Sequence, residues 1–110
     1  MAPSRRDLLP GTLDMLILRT LNAQAMHGYG IAQHLKRLSA DVIQVEEGSL
    51  YPALQRMRQK GWVRAEWRQT PNNQRARYYT VTAAGRKQFG AQAAGFAEVV
   101  AAIGRIMRPA

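Results

Sequence analysis

Hydrophobic positions change period along this chain, and each change marks an element. Leu13, Leu16, Ile17, Thr20 and Leu21 fall at i, i+3, i+4, i+7 and i+8, which is one stripe of an amphipathic helix. The helix is predicted from Gly11 or Thr12 to Asn22. Thr12 is its candidate cap, and Asp14 suits the positive end of the helix dipole. His27-Gly28 breaks the chain, and a second helix is predicted from about Gly28 to Leu38, with Ile31, Leu35 and Leu38 on one face. The β-branched stretch Val42 to Val45 predicts a short strand. A third helix is expected to open at Ser49 as its N-cap, with Pro52 in the first turn, where a missing N–H costs nothing. Its apolar face is Leu50, Leu54 and Met57, and Gly61 is placed to end it.

The period then falls to two. Val63, Ala65 and Trp67 alternate with Arg64, Glu66 and Arg68, and Arg77, Tyr79 and Val81 alternate with Tyr78 and Thr80. Thr70-Pro71-Asn72-Asn73 lies between them and has loop chemistry, so the two runs read as a β-hairpin. From about Thr82 to Met107 the period lengthens again. Phe89, Ala93, Phe96, Val100, Ile103 and Met107 are spaced 4, 3, 4, 3, 4, a heptad seam of the kind that pairs helices. Small neighbours such as Ala94, Gly95, Ala101 and Gly104 would let another helix approach closely.

The order is helix, helix, short strand, helix, hairpin, long helix. This is a mainly α, α+β arrangement: a winged helix-turn-helix followed by a long C-terminal helix suited to dimerisation. Residues 1–10 read as a loose basic arm carrying Arg5 and Arg6, residues 11–82 as the winged-helix unit, and 83–110 as the dimerisation helix.

Composition sharpens this picture. The 110 residues are 46% hydrophobic and carry a net charge of +9, which describes a folded domain with a polyanionic partner and not a disordered polycation. With no cysteine, disulfides, zinc-thiolate sites and cysteine nucleophiles are excluded. No apolar run approaches the roughly 18 residues of a membrane span. Ser4-Arg5-Arg6-Asp7-Leu8-Leu9 resembles a twin-arginine export signal, but Asp14 and Arg19 interrupt the apolar core such a signal needs. A cytoplasmic location is expected.

The charge is concentrated. Between Ser49 and Arg77 stand seven bases (Arg56, Arg58, Lys60, Arg64, Arg68, Arg75 and Arg77) and a single acid, Glu66. An ordinary soluble surface intersperses both signs. The third helix and the hairpin are the elements a winged helix sets against DNA, the helix in the major groove and the wing on the backbone or minor groove. Ser49 and Tyr51 carry hydroxyls suited to phosphate, Gln55 has the chemistry to read adenine, and Arg56 suits guanine or phosphate. Arg75 and Arg77 flank the hairpin loop. Tyr51 also fits a half-buried role against the second helix, and Trp62 and Trp67 read as core and hairpin packing.

Other chemistries fail on spacing. His27 and His34 are seven apart, without the i, i+4 spacing of a metal pair. No nucleophile elbow, phosphate loop or dinucleotide fingerprint is present. No enzyme activity, metal or cofactor is expected. The middle of the last helix is Ala-rich and almost uncharged, unlike the basic polar face of a membrane-surface helix.

Four strings then converge: Gly11-Thr12-Leu13-Asp14-Met15-Leu16-Ile17-Leu18, His27-Gly28-Tyr29-Gly30-Ile31, Gly48-Ser49-Leu50-Tyr51-Pro52-Ala53-Leu54 and Tyr78-Tyr79-Thr80-Val81-Thr82-Ala83-Ala84-Gly85. Together they resemble the PadR family of bacterial winged-helix transcriptional regulators, over about Leu8 to Phe89. The resemblance implies a homodimer joined by its C-terminal helix, repression of nearby genes, and in some relatives a small aromatic effector at or near the dimer interface. It implies DNA contacts at Tyr29, Ser49, Tyr51, Pro52, Arg56, Arg75 and Arg77. This chain has Met57-Arg58 where the family commonly has Leu-Glu, which makes the third helix more basic. The short last helix resembles the compact branch of the family. Two other functions fit the charge: an architectural DNA binder without ligand control, and an adaptor that sets the basic face on an acidic protein.

Overall fold

The computed structural model describes residues 11–109. The basic arm and the export-like motif expected before Gly11 lie outside the described residues. Seven elements follow in order: α1 Thr12–Ala23, β1 Met26–His27, α2 Gly28–Leu38, α3 Glu47–Gln59, β2 Val63–Gln69, β3 Arg75–Val81 and α4 Ala83–Met107. The three strands form one antiparallel sheet in the order β1-β3-β2. The hairpin register runs from Val63 opposite Val81 to Gln69 opposite Arg75.

One core holds the helices to the sheet. Ile17, Leu18 and Leu21 of α1, Ile31 and Leu35 of α2, and Leu50, Ala53, Leu54 and Met57 of α3 meet Val63, Tyr79 and Val81 of the hairpin. Burying an aliphatic side chain of this kind is worth about 1.5–3 kcal/mol, so the apolar face of each helix fixes its position.

Several ends differ from the sequence expectation. Gly11, not Thr12, occupies the cap position of α1, in the left-handed region at φ 84 and with no side-chain cap. Helix α3 begins two residues before Ser49, with Glu46 at its cap. Ser49 therefore sits inside the first turn, and Pro52 lies one turn further in, where it has no N–H for the Gly48 carbonyl. Leu38 is 70% exposed, because at the last residue of α2 the core has already ended.

The expected strand at Val42 to Val45 is a loop. Ala40 and Asp41 take left-handed conformations, φ 51 and 68, and the Ser39 hydroxyl accepts the Ile43 N–H at 2.8 Å. These bends fold the segment onto the end of α2, and Ile43 and Val45 pack on the core as loop residues. The third strand comes instead from Met26–His27, which pairs with Tyr79 and Tyr78. It covers the edge of β3 that the hairpin leaves open.

The end of α3 and the start of α4 are joined. Gly61, at φ 78, follows the last turn of α3. Its N–H reaches the Arg58 carbonyl, and the Trp62 N–H reaches that of Met57, the paired bonds of a left-handed helix stop. The Thr82 hydroxyl donates to the Gly61 carbonyl at 2.6 Å and accepts the Gly85 N–H at 3.0 Å as the cap of α4. The Thr82 N–H also donates to the Trp62 carbonyl. The direction of the long helix is thereby tied to the end of α3.

Candidate nucleic-acid interface

The buried side of α3 is set by Leu50, Ala53, Leu54 and Met57. At 100° per residue, the opposite line carries Gly48, Pro52, Gln55 and Gln59. Ser49 and Arg56 lie along one flank, and Tyr51 and Arg58 along the other. All eight are exposed. Gln59 escaped the sequence reading, although its i+4 spacing from Gln55 was the available signal. Arg58 Nη2 donates to Gln55 Oε1 at 3.2 Å, which orients the Gln55 amide.

Two of these residues are tied to other helices. Arg56 Nη2 lies 3.3 Å from Asp14 Oδ1 of α1, so its side chain leans toward α1 and away from the outward line. An exposed pair of this kind is worth little and leaves the other guanidinium donors available. Tyr51 is 42% exposed and combines the two roles open to it in the sequence. Its ring lies on the first residue of α2, where a Cβ added at Gly28 would come within 2.6 Å of the phenol oxygen. Burial, then the Glu47 carboxylate and Tyr79, raise the Tyr51 phenol above its usual range, so it remains a neutral O–H donor at neutral pH.

The start of α2 continues this surface. His27 caps the helix by accepting the Gly30 N–H on Nδ1 at 2.9 Å, which puts the hydrogen of its neutral ring on Nε2. Its ring meets that of Tyr78 edge-on, with centroids 5.2 Å apart. This role was not legible in the sequence, because a histidine is an uncommon cap. Tyr29 is 67% exposed. A cleft of about 520 Å³ separates His27, Tyr29 and Gln33 from Asn72, Gln74 and Arg75 of the wing.

The wing is braced from within. The Thr70 N–H donates to the Gln74 carbonyl, and the Asn73 N–H to that of Thr70. The Thr70 hydroxyl accepts the Gln74 N–H and donates to Asn72 Oδ1. Arg75 is exposed, with its guanidinium carbon 5.3 Å from the centroid of the Trp67 ring. Trp67 is 59% exposed, so of the core and hairpin packing expected for the tryptophans it keeps only the hairpin part, against Arg75. The alternating face runs past the end of the core, and Trp67 becomes the platform under Arg75. Trp62 is half-buried on the core, with Lys60 Nζ 4.8 Å from its ring centroid. Arg77 sits deeper than Arg75. It shares the inward face with Tyr79, and its Nε is buried without a hydrogen-bond partner among the described residues. The one acid of the region, Glu66, is bonded to Arg68 Nε at 2.9 Å. Among the described residues no group of His, Asp or Glu is placed to hold a metal, and no helix is long and apolar enough to cross a membrane.

Of the predicted DNA residues, Ser49, Tyr51, Pro52 and Gln55 of α3 are exposed, and Tyr51 on Gly28 links the helix to Tyr29, across the cleft from Arg75. Arg56 leans toward α1 and Arg77 sits on the inward face. The residues expected to pair two copies lie on α4. Phe89 packs against the chain's own core and Ala93 is half-buried. Phe96, Val100, Ile103 and Met107 are uncovered at 42, 49, 49 and 76% exposure, and Val99 and Ile106 widen the same stripe.

A helix-turn-helix unit with a basic wing, and an outward helix line of amides flanked by arginines, defines the winged-helix class. The chain belongs to the transcriptional regulator PadR-like family, whose profile matches residues 17–91. A PadR family transcriptional regulator from Eggerthella lenta is 25% identical, with 91% of this chain and 85% of that one covered and a TM-score of 0.77. A transcriptional regulator from Clostridium thermocellum shares the fold at a TM-score of 0.81 and 21% identity, with 89 and 95% covered. An uncharacterized protein of Lysinibacillus sphaericus is 28% identical over 95 residues, 86% of this chain and 87% of its own. The chain is accordingly a transcriptional regulator and not an enzyme.

Proposed function

We propose that the chain acts as a homodimeric repressor on a palindromic operator. The observation that carries this reading is the continuous face from Gln55 and Tyr51 through Tyr29 to Arg75, with seven bases and one paired acid between Ser49 and Arg77. The outward line of α3 faces base edges in the major groove, with Gln55 as reader. Ser49, Tyr51 and Tyr29 hold phosphates, and Arg75 reaches backbone or minor groove beside the wing.

The dimer reading rests on α4. The side that packs in cis through Phe89 continues past Phe96 with little over it among the described residues, and a second copy of the same helix offers the matching apolar stripe. A two-fold pair then calls for half-sites about one turn, roughly 10 base pairs, apart or a multiple of that. A small aromatic effector would suit the cleft of about 200 Å³ between the start of α1 and Phe96. Gln92 lines that cleft and has a buried, unpartnered Oε1 among the described residues.

The test is selection of duplexes from a random-sequence pool, followed by titration of the selected site. The regulator reading expects a palindromic site preferred over random DNA by about 10³-fold or more. Equal affinity for all duplexes would favour the architectural reading, and no binding at low salt the adaptor. Two variants separate the roles. Arg75→Ala is expected to weaken binding on every sequence and to reduce the salt slope by about one. An unchanged slope would remove the wing from the interface. Gln55→Ala is expected to lose about 1–3 kcal/mol of discrimination at one symmetric pair of positions, with little change on random DNA. A uniform loss would make Gln55 a phosphate contact.

A further inference from the structure

We infer that Gly48 is the point of closest approach between α3 and DNA, and that the absence of a side chain there sets how deeply the helix enters the groove. The inference rests on the regulator reading and adds a specificity-determining position to it. Four other glycines are explained by the chain itself. A Cβ at Gly28 would strike the Tyr51 ring, and one at Gly85 would lie 2.1 Å from the Trp62 carbonyl. Gly11 and Gly61 hold left-handed conformations. Gly48 has none of these reasons. It is helical and exposed, its φ is not left-handed, and a Cβ built on it meets no heavy atom of the described residues within 4 Å. Gly90, Gly95 and Gly104 share these traits but belong to α4, and Gly48 is the glycine on the outward line of α3.

Its neighbour on the outward line is Pro52, also exposed. Glycine and proline are the two residue types that weaken a helix most, and here they stand one turn apart on the same outward face. Neither is needed for the core, which α3 builds from the other side. What they share is low relief: no side chain at one position and a compact ring at the next. A helix that must bring its backbone against the groove gains from that shape, since only glycine admits such an approach. Gln55 and Gln59, further along the line, then reach base edges with short side chains. A methyl group at position 48 would lift the N-terminal end of α3 and, because the helix moves as a rigid rod, shift Gln55 and Gln59 off their base edges, whereas the flexible Arg75 side chain on the wing can follow the displacement.

The experiment compares wild type, Gly48→Ala and Gly48→Leu on the duplex selected by the wild-type chain and on random DNA, with thermal unfolding of each. Both substitutions introduce better helix formers, so unfolding is expected at the wild-type temperature or a few degrees above it. Affinity for the selected duplex should fall at least tenfold for alanine and further for leucine, while affinity for random DNA stays within about twofold. Variants that match wild type on the selected duplex would overturn the inference and leave the regulator reading intact. A variant that unfolds well below wild type would overturn it too, by showing that the glycine serves the fold. A wild-type chain with no preference for any duplex would overturn both.

Discussion

Replacing Gly85 by alanine is expected to lower stability by about 3 kcal/mol, the upper part of the range for overpacking. Gly85 is the third residue of α4 and is buried. The alanine methyl would lie 2.1 Å from the Trp62 carbonyl oxygen and 2.8 Å from Val81 Cγ2. The first obstacle is backbone, which cannot turn aside as a side chain can. That carbonyl also accepts the Thr82 N–H, so moving it opens the bonds that cap α4 and close α3. A domain of this size should lose about 15 °C of Tm, measurable by circular dichroism. A shift under 3 °C would show that the junction can relax. Because the same junction fixes α4 relative to α3, operator binding at permissive temperature should suffer more than binding to random DNA.

The second large effect is expected at the seam. Phe96→Asp puts a carboxylate in the centre of the uncovered stripe of α4, between the part packed in cis and Val100 and Ile103 beyond it. In the monomer Phe96 is 42% exposed, so the charge reaches water and the fold should stand. Between two copies it would be buried without a partner, a cost on the order of 3 kcal/mol or more. That corresponds to over a hundredfold in the dimer dissociation constant. Sedimentation should show a monomer with the wild-type helical signal and without operator binding at nanomolar concentration. A variant that stays fully dimeric would move the interface elsewhere, most directly to α1.

The elements were legible wherever a period ran for several turns or pairs. The stripes of α1 and α3, the alternation of β2 and β3, the stop at Gly61 and the long α4 all follow from local pattern. So does the charge concentrated between Ser49 and Arg77. Short features were not legible. Met26–His27 has only two residues and no alternation of its own. It becomes a strand because β3 offers an open edge immediately before α2. Val42 to Val45 has the composition of a strand, but its preference yields to the turn at Ala40 and Asp41 and to the packing of Ile43 and Val45 on the core. The start of α3 at Glu47 was missed because Ser49 offers a stronger cap by type than Glu46.

What the sequence determined by itself is what depends on neighbours within a few residues: helix faces, the hairpin, the helix stop and the sign and location of the charge. What only the tertiary structure decided is which distant groups meet. The Asp14–Arg56 pair joins residues 42 apart. Tyr51 lies over Gly28, and the Trp62 carbonyl lies under Gly85. Arg75 is spread on an exposed Trp67, while Arg77, two residues on, is held deeper. These contacts come from the packing of helix faces into one core, and the closeness of two backbones leaves no periodic trace in a sequence. A glycine marks the position of such an approach, and only the fold identifies what approaches it.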